Sequence, residues 1–279
     1  MEGVKGPAPG ASSGGRKPGA TSLRLPVVPT NLAVDILPQP DLSTCGPTCL
    51  HAVYRYYGLN LPLEKVVREV RQFEEGGTLG VLLGLHALSR GFKATLYTYN
   101  LSLFDPTWFL PGAPDLAERL RSQMKHKRGK KFHIASEAYI EFLQRGGRLR
   151  FEDLSPRLLR GFLNHGHPIL TGLSATYLYR SPREFGDQSE YDDIRGESAG
   201  HFVIVCGYDS EARAVLVADP LQPNPMAPQQ LYPVPIERLI CAILLGILSF
   251  DGNLLVVEPE PEKKPGGAKE SRRIEKPLP

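Results

Sequence analysis

The chain has 279 residues, of which 41% are hydrophobic and 23% charged, and its formal net charge is +3. These values are ordinary for a globular protein and exclude a collagen, a coiled coil and a wholly disordered chain. The first 30 residues carry a charge of +3 and residues 258–279 carry +1, so the middle of the chain is nearly neutral and lacks the basic charge typical of nucleic-acid-binding proteins.

Glycine and proline divide the chain into three segments. Of its 28 glycines and 26 prolines, 18 lie in residues 1–30 and 258–279. Segments of this composition have too little apolar surface to offset the entropy of ordering them, so we predict two disordered tails. We expect residues 31–257 to form one globular domain.

Neither a targeting segment nor a membrane span is predicted. The N-terminal residues lack the apolar run of about 7–15 residues that a signal peptide needs. The longest apolar stretch, Leu239–Phe250, has 12 residues, whereas a bilayer span takes about 20, so we expect a buried helix there. Four cysteines without a secretory signal do not indicate a disulfide framework. The expected compartment is the cytoplasm, and nothing in the sequence sets the oligomeric state.

Apolar periodicity and turn residues predict the secondary structure. Residues 45–57 read as a helix that begins at a cysteine, with Ser43 or Thr44 as its cap and Gly58 at its end. Residues 175–199 read as a polar loop. Residues 114–131 read as a basic amphipathic helix that runs into a lysine-rich loop. The other predicted elements are helices over 63–73, 78–90, 155–166 and 235–248 and strands over 93–99, 168–173, 201–208, 214–218 and 253–257. Because helices precede most strands, the predicted class is α+β.

Cys45 is a candidate nucleophile because it opens the first predicted helix. The unsatisfied N–H groups and the positive end of the helix dipole favour a thiolate there. Such a cysteine needs an adjacent imidazole, and the imidazole needs a third group to fix its tautomer. His201 begins a strand and Asp219 ends its hairpin partner. The hairpin register therefore places Asp219 beside one ring nitrogen of His201, with the other nitrogen facing Cys45.

Other interpretations of the same residues stay open. Cys45 could be a small core residue, and Cys49 favours core packing over a metal pair or a resolving thiol. His165 and His167 are rival bases if their loop folds over Cys45. The lysine-rich residues 125–131 could bind an acidic partner, although such runs are usually solvated. No cysteine or histidine spacing indicates zinc, so we expect neither a metal nor a cofactor.

Three sequence blocks resemble those of the papain-like cysteine peptidases that process bacteriocin leaders after a double glycine. The blocks are QPDLSTCGPTCL at 39–50, GHFVIVCGYD at 200–209 and ADP at 218–220. The resemblance implies a papain-like fold in which a helical lobe packs on an antiparallel sheet. It also implies four site residues: the nucleophile Cys45, the general base and acid His201, the orienting residue Asp219 and the oxyanion-hole donor Gln39.

The chain departs from that family in two respects. Thr44 stands where family members usually have an acidic residue before the nucleophile, and no transporter segment accompanies the domain. The resemblance is therefore to a stand-alone branch, and the family's substrate does not carry over. We expect a cysteine-dependent hydrolase, a peptidase that acts on a peptide or acyl-bearing substrate through a thioester. The alternatives are an acyl or aminoacyl transferase and a non-catalytic peptide-binding module.

Overall fold

A computed structural model describes residues 30–73, 77–186, 189–249 and 251–260. The two predicted tails lie outside these ranges, apart from Thr30 and residues 258–260.

In the described part of the chain, a central sheet of eight strands forms the middle layer, and a separate pair of strands lies outside it. The strands are β1 (Thr30–Asn31), β2 (Phe92–Thr98), β3 (Arg148–Arg150), β4 (Ile169–Ser174), β5 (Glu184–Phe185), β6 (Glu190–Tyr191), β7 (Gly200–Asp209), β8 (Ala214–Ala218), β9 (Leu231–Pro235) and β10 (Asn253–Pro259). The central order is β3-β2-β10-β4-β7-β8-β9, with β1 paired to β7, while β5 pairs with β6. The pair β2 and β3 is parallel, and the other pairings are antiparallel.

Helices cover both faces of this sheet. They are α1 (Cys45–Tyr56), α2 (Leu63–Glu69), α3 (Gly80–Ser89), α4 (Leu116–Met124), α5 (Lys130–Gln144), α6 (Pro156–Asn164), α7 (Ala175–Tyr179) and α8 (Ile236–Leu245), with short 3-10 helices at Pro106–Phe109 and Gly246–Ser249. The α+β class predicted from the sequence is confirmed.

Alternate residues of β7 face two hydrophobic clusters. Phe202, Ile204 and Cys206 belong to a cluster with α1 to α5, whereas Val203 and Val205 belong to a second cluster with α6, α7 and α8. A strand that is apolar on both faces must be covered on both faces. The sheet therefore has a second helical layer in addition to the lobe that was expected.

The basic segment around residue 125 folds differently from the prediction. The helix predicted to run into a lysine-rich loop within 114–131 ends at Met124, and a second helix, α5, begins at Lys130 after Gly129, whose φ is +124°. The lysines predicted as a solvated loop thus include the first turn of a 15-residue helix. Buried apolar residues at helical spacing, from Phe132 to Phe142, attach that helix to the core.

The predicted polar loop over 175–199 contains α7, β5 and β6. Strand β9 was missed because prolines at 233 and 235 alternate with its buried residues, a pattern that suits an edge strand. The predicted helix within Leu239–Phe250 is present as the second half of α8, which buries Leu239, Ala242 and Ile243. Across the described ranges, none of the helices has the length and apolarity that a bilayer crossing requires.

Candidate active site

Cys45 is the first residue of α1, and Thr44 occupies the N-cap position. The predicted side-chain cap is absent, because the Thr44 hydroxyl donates to the Asp41 carbonyl at 3.1 Å and the Ser43 hydroxyl to Asp41 Oδ1 at 2.7 Å. The first N–H groups of a helix have no acceptor within the helix. The N–H groups of Cys45 and Gly46 accordingly make no hydrogen bond to another residue that the structure describes.

Glycine at position 46 lets α1 approach β7 closely. A Cβ atom there would lie 2.7 Å from Thr78 Cγ2 and 3.1 Å from Phe202 Cδ2. One turn further along, Cys49 is fully buried, and its thiol donates to the Phe202 carbonyl at 3.3 Å. Burial raises the pKa of Cys49. These contacts place Cys49 in the core, whereas Cys45 lines a cavity.

The His201 side chain connects the two halves of the site. It is the second residue of β7, and Asp219 directly follows the neighbouring strand β8. Its Nε2 donates to Asp219 Oδ1 at 2.8 Å, and the ring also hydrogen bonds Cys45. Since Nε2 is bound to Asp219, Nδ1 is the nitrogen left for Cys45. Asp219 is fully buried and His201 is 8% exposed.

The Asp219 carboxylate has three further donors. The hydroxyls of Tyr179 and Tyr232 donate to Oδ2 at 2.8 Å and 2.5 Å, and the Leu221 N–H donates to Oδ1 at 2.9 Å. Sequence reasoning missed both tyrosines because α7 was predicted as loop and β9 was not assigned. Their shared acceptor depends on long-range packing, and no local pattern indicates it.

The electrostatics favour an ion pair at the centre of the site. Burial disfavours the charged imidazolium, but Asp219 and Cys45 outweigh burial and raise the pKa of His201 to about 10. Burial also disfavours the Asp219 carboxylate, yet His201 and Tyr232 hold the pKa of Asp219 down at about 2. Both charges are therefore present at neutral pH, so the ring beside Cys45 is a cation.

Gln39 lies at the rim of the cleft. Its backbone N–H donates to the Pro220 carbonyl at 2.9 Å, which ties it to the segment just after Asp219. Its side-chain Nε2 donates to the Asp41 carbonyl at 2.8 Å. A primary amide has two N–H donors, so this bond uses one of them. Gln39 and His201 line the same cavity.

Two adjoining cavities form the cleft. The larger, of about 510 Å³, is lined by Gln39, Tyr191 and His201. The smaller, of about 160 Å³, is lined by Cys45, His201 and Asp251. Both share His201, so the cleft extends to either side of the imidazole.

The rival histidines are not brought to Cys45. His165 Nδ1 binds the Gly161 carbonyl at 2.7 Å, while His167 contacts Tyr57 and Glu258 at 3.0 Å and 3.2 Å. A residue of the lysine-rich run 125–131 lies in the cleft instead. Lys131, from the run predicted as a solvated loop, lines the smaller cavity. Among the described residues, no group of three or more His, Cys, Asp or Glu is placed to hold a metal ion.

This geometry is accompanied by a match to a family model. The Peptidase_C39 like family matches residues 157–236, a range that includes His201 and Asp219. The chain is similar to C39 peptidases. The resemblance seen in the three sequence blocks is thereby confirmed, although Cys45 and Gln39 lie outside the matched range.

Three solved structures are similar to the chain at low sequence identity. The peptidase domain of Streptococcus ComA, a bi-functional ABC transporter, is 15% identical over 81% of this chain and 99% of that domain, with a TM-score of 0.39. A C39-like peptidase from Bacillus anthracis is 15% identical over 83% of this chain and 98% of its own, with a TM-score of 0.43. Xylellain, a cysteine protease from Xylella fastidiosa, is 15% identical over 83% of this chain and 85% of its own, with a TM-score of 0.39.

A search of curated proteins found no match. At 15% identity the structural likenesses transfer neither a substrate nor a residue role. The C39-like family match supports a peptidase function in general terms. The papain-like arrangement is visible in the chain itself, since a cysteine at a helix N-terminus faces a histidine on an antiparallel sheet.

Proposed function

We propose that this protein is a cysteine peptidase-like hydrolase that cleaves a peptide or amide bond through a thioester. The observation that carries the proposal is the buried His201 ring, which binds Asp219 at 2.8 Å and hydrogen bonds Cys45 at the head of α1. An imidazole with a carboxylate on one nitrogen and a thiol on the other has the relay needed for nucleophilic catalysis.

The reaction begins when the Cys45 thiolate attacks the substrate carbonyl carbon. His201, protonated on Nδ1, then gives that proton to the leaving nitrogen as the carbon–nitrogen bond breaks, and a thioester remains on Cys45. In the second half, His201 accepts a proton from water as the water attacks the thioester. The acid product leaves, and the thiolate and imidazolium are restored.

Asp219 has an orienting role in this scheme. Its Oδ1 holds the Nε2–H of His201, so Nδ1 is directed to the reacting groups, and its charge stabilises the imidazolium. The oxyanion forms near the head of α1, where the N–H of Cys45 lacks a helical acceptor. Gln39 is proposed as the second oxyanion donor, through the amide N–H that Asp41 does not use.

The central test is turnover of a diverse peptide library by the wild type, Cys45→Ala and His201→Ala. We expect the wild type to cleave peptides and each variant to lose roughly 10³-fold or more in rate. Cys241→Ser is the matched control, because Cys241 is an exposed thiol outside the cleft. Retained turnover in Cys45→Ala, or loss of turnover in Cys241→Ser, would contradict the assignment.

An independent measurement reads the thiolate without a substrate. At pH 6 an ordinary thiol is slow to react with iodoacetamide, because few of its molecules are ionised. In the Cys241→Ser protein we expect a single fast adduct at Cys45, detected by intact mass. His201→Ala should slow that adduct. Equal rates in the two proteins would show that His201 does not activate Cys45.

The role of Gln39 has its own test. Gln39→Ala is expected to lower kcat on the order of 10²–10³-fold while KM changes little, as for the loss of one oxyanion donor. The rate of iodoacetamide modification at pH 6 should stay normal, since the donor acts after the thiolate forms. A change in KM alone would identify Gln39 as a substrate contact instead.

A further inference from the structure

Asp251 is a second buried aspartate in the cleft, located just before β10. It is 5% exposed, and it lines the smaller cavity together with Cys45 and His201. Its Oδ1 accepts hydrogen bonds from the Gly80 N–H at 2.8 Å and from Asn253 Nδ2 at 3.0 Å. The other oxygen, Oδ2, receives no hydrogen bond from the part of the chain that the structure describes.

Capping of a helix accounts for only one of the two carboxylate oxygens of Asp251. Gly80 is the first residue of α3, so Oδ1 of Asp251 caps that helix from a distant part of the chain. An asparagine oxygen would serve that purpose equally well. The second oxygen, Oδ2, is not among the fully enclosed side-chain atoms that lack a partner, and the Asp251 side chain lines the cavity. Oδ2 is therefore the oxygen available to a group that enters the cavity.

The walls of the smaller cavity suit a long side chain with a charged end. Phe73 and Phe202 provide apolar surface on its sides. The Nζ of Lys131 lies 5.5 Å from the centre of the Phe73 ring, and Lys131 is exposed, so solvent screens its charge. The buried Asp251 carboxyl is screened less. A volume of about 160 Å³ is close to the ~150 Å³ cavity that holds one benzene-sized group, which corresponds to one side chain.

We propose that this cavity is a specificity subsite that binds one basic side chain of the substrate, next to the carbonyl that Cys45 attacks. The inference rests on the proposed function, because it names the substrate class of the same site. The ammonium or guanidinium group would donate to Asp251 Oδ2, and the aliphatic stem would pack against Phe73 and Phe202. Burial raises the pKa of Asp251 to about 7, and a bound cation would favour the carboxylate form.

Small thiol reagents test the subsite without requiring turnover. In the Cys241→Ser background, Cys45 is treated separately with the 2-aminoethyl, ethyl and 2-sulfonatoethyl methanethiosulfonates, which are cationic, neutral and anionic. In each case the Cys45 thiolate attacks the reagent's sulfenyl sulfur, a mixed disulfide forms and methanesulfinate leaves. The ratio of the cationic to the neutral rate constant, compared with that of free 2-mercaptoethanol, reports the charge of the cavity next to Cys45.

We expect this ratio to exceed that of the free thiol and to fall roughly tenfold in Asp251→Asn, which keeps the acceptor for Gly80. Lys131→Met should raise the ratio, because it removes the opposing charge at the exposed wall. This second variant does not alter the buried cap, so it keeps the test valid if Asp251→Asn is poorly folded. A ratio that neither variant changes would overturn the proposal.

Matched peptides then distinguish the subsite from the proposed function. Pairs that carry lysine or norleucine beside the scissile bond should show a lysine preference in kcat/KM, lost in Asp251→Asn. Cleavage without that preference, together with an unchanged reagent ratio, overturns the subsite and leaves the peptidase proposal standing. No cleavage of any peptide, together with a ratio that depends on Asp251, overturns the peptidase proposal and supports a cation-binding cavity beside Cys45.

Discussion

Asp219 and Asp251 are both buried beside the same cleft, yet their surroundings move their acidity in opposite directions. Burial disfavours both carboxylates. Asp219 is compensated by an imidazolium, two tyrosine hydroxyls and a backbone N–H, and its pKa falls to about 2. For Asp251, burial outweighs two neutral donors on one oxygen and the charge of Lys131, and its pKa rises to about 7. The partners, rather than the depth of burial, separate an orienting carboxylate from one that can exchange a proton near neutrality.

The two aspartates also represent two kinds of site group. A carboxylate with four donors is already complete in the folded chain, so it is suited to hold another residue in place. A carboxylate with one oxygen left without a donor is suited to bind something that arrives from outside. Asp219 fits the first description, and Asp251 fits the second among the residues that the structure describes.

The largest expected effect is the loss of the Asp219 carboxylate. Asp219→Ala frees the His201 ring and leaves a buried imidazolium without its counter-ion, so we expect kcat to fall on the order of 10²–10⁴-fold. Asp219→Asn keeps an oxygen for Nε2–H, and the two tyrosine hydroxyls can rotate to accept from its amide. Asparagine should therefore retain a reduced but measurable rate in the peptide assay.

The pH dependence of Cys45 alkylation provides the control for this comparison. A less stabilised imidazolium supports less thiolate, so both variants should shift the alkylation profile toward higher pH, with alanine shifting it further. Profiles identical to wild type would show that Asp219 is only a strand-end residue before Pro220. The orienting group would then have to be sought elsewhere.

How much of this site the sequence predicts depends on how local the relevant pattern is. A helix start at Cys45 and a hairpin that joins His201 to Asp219 are local features, and the structure has both elements. Tyr232 and Asp251 are not predictable in this way. Tyr232 reaches Asp219, and Asp251 reaches the cleft, from segments whose positions are set by sheet order, with β9 beside β8 and β10 beside β4.

Features of the fold that depend on long-range packing are likewise not predictable from local sequence patterns. The apolar run of β7 indicates a strand that is covered on both faces, but the sequence does not say which helices cover each face. The lysines before Phe132 favour a loop when the sequence is considered alone. The buried apolar residues of α5 stabilise a helix that includes Lys130 and Lys131. Tertiary burial outweighed the local charge pattern there.

An intermediate effect, on stability and acid unfolding, is expected when either tyrosine that donates to Asp219 Oδ2 is replaced by phenylalanine. Tyr232→Phe removes the 2.5 Å bond and should lower the free energy of unfolding at neutral pH by about 1.5–3 kcal/mol, as for hydrogen bonds to charged groups. The depressed pKa of Asp219 contributes stability that is present above the ordinary aspartate range and is lost as the pH falls toward about 2. Without Tyr232 that pKa moves up, so acid unfolding should begin at higher pH.

Tyr179→Phe is the matched variant, since it removes a 2.8 Å bond to the same oxygen. We expect a smaller change in the acid-unfolding midpoint, followed by circular dichroism, because Tyr232 makes the shorter bond and supports the low pKa of Asp219. A larger shift for Tyr179→Phe would reverse the assigned order of the two donors.

The smallest expected effect is on the pH dependence of stability at Asp251, and its sign is opposite to that at Asp219. Because burial raises its pKa to about 7, the folded protein holds this proton more tightly than the unfolded chain does. Stability is therefore lost as the pH rises from the ordinary aspartate range through 7, and Asp251→Asn escapes that loss. The melting temperature of Asp251→Asn relative to wild type should rise between pH 5 and pH 8, by about 2–4 °C for each 1 kcal/mol of relative stability.

Asp153→Asn, at an exposed aspartate, should show no such rise. A difference for Asp251→Asn that stays constant with pH would mean that Asp251 keeps its charge throughout this range, and the contrast with Asp219 would then lie in geometry alone.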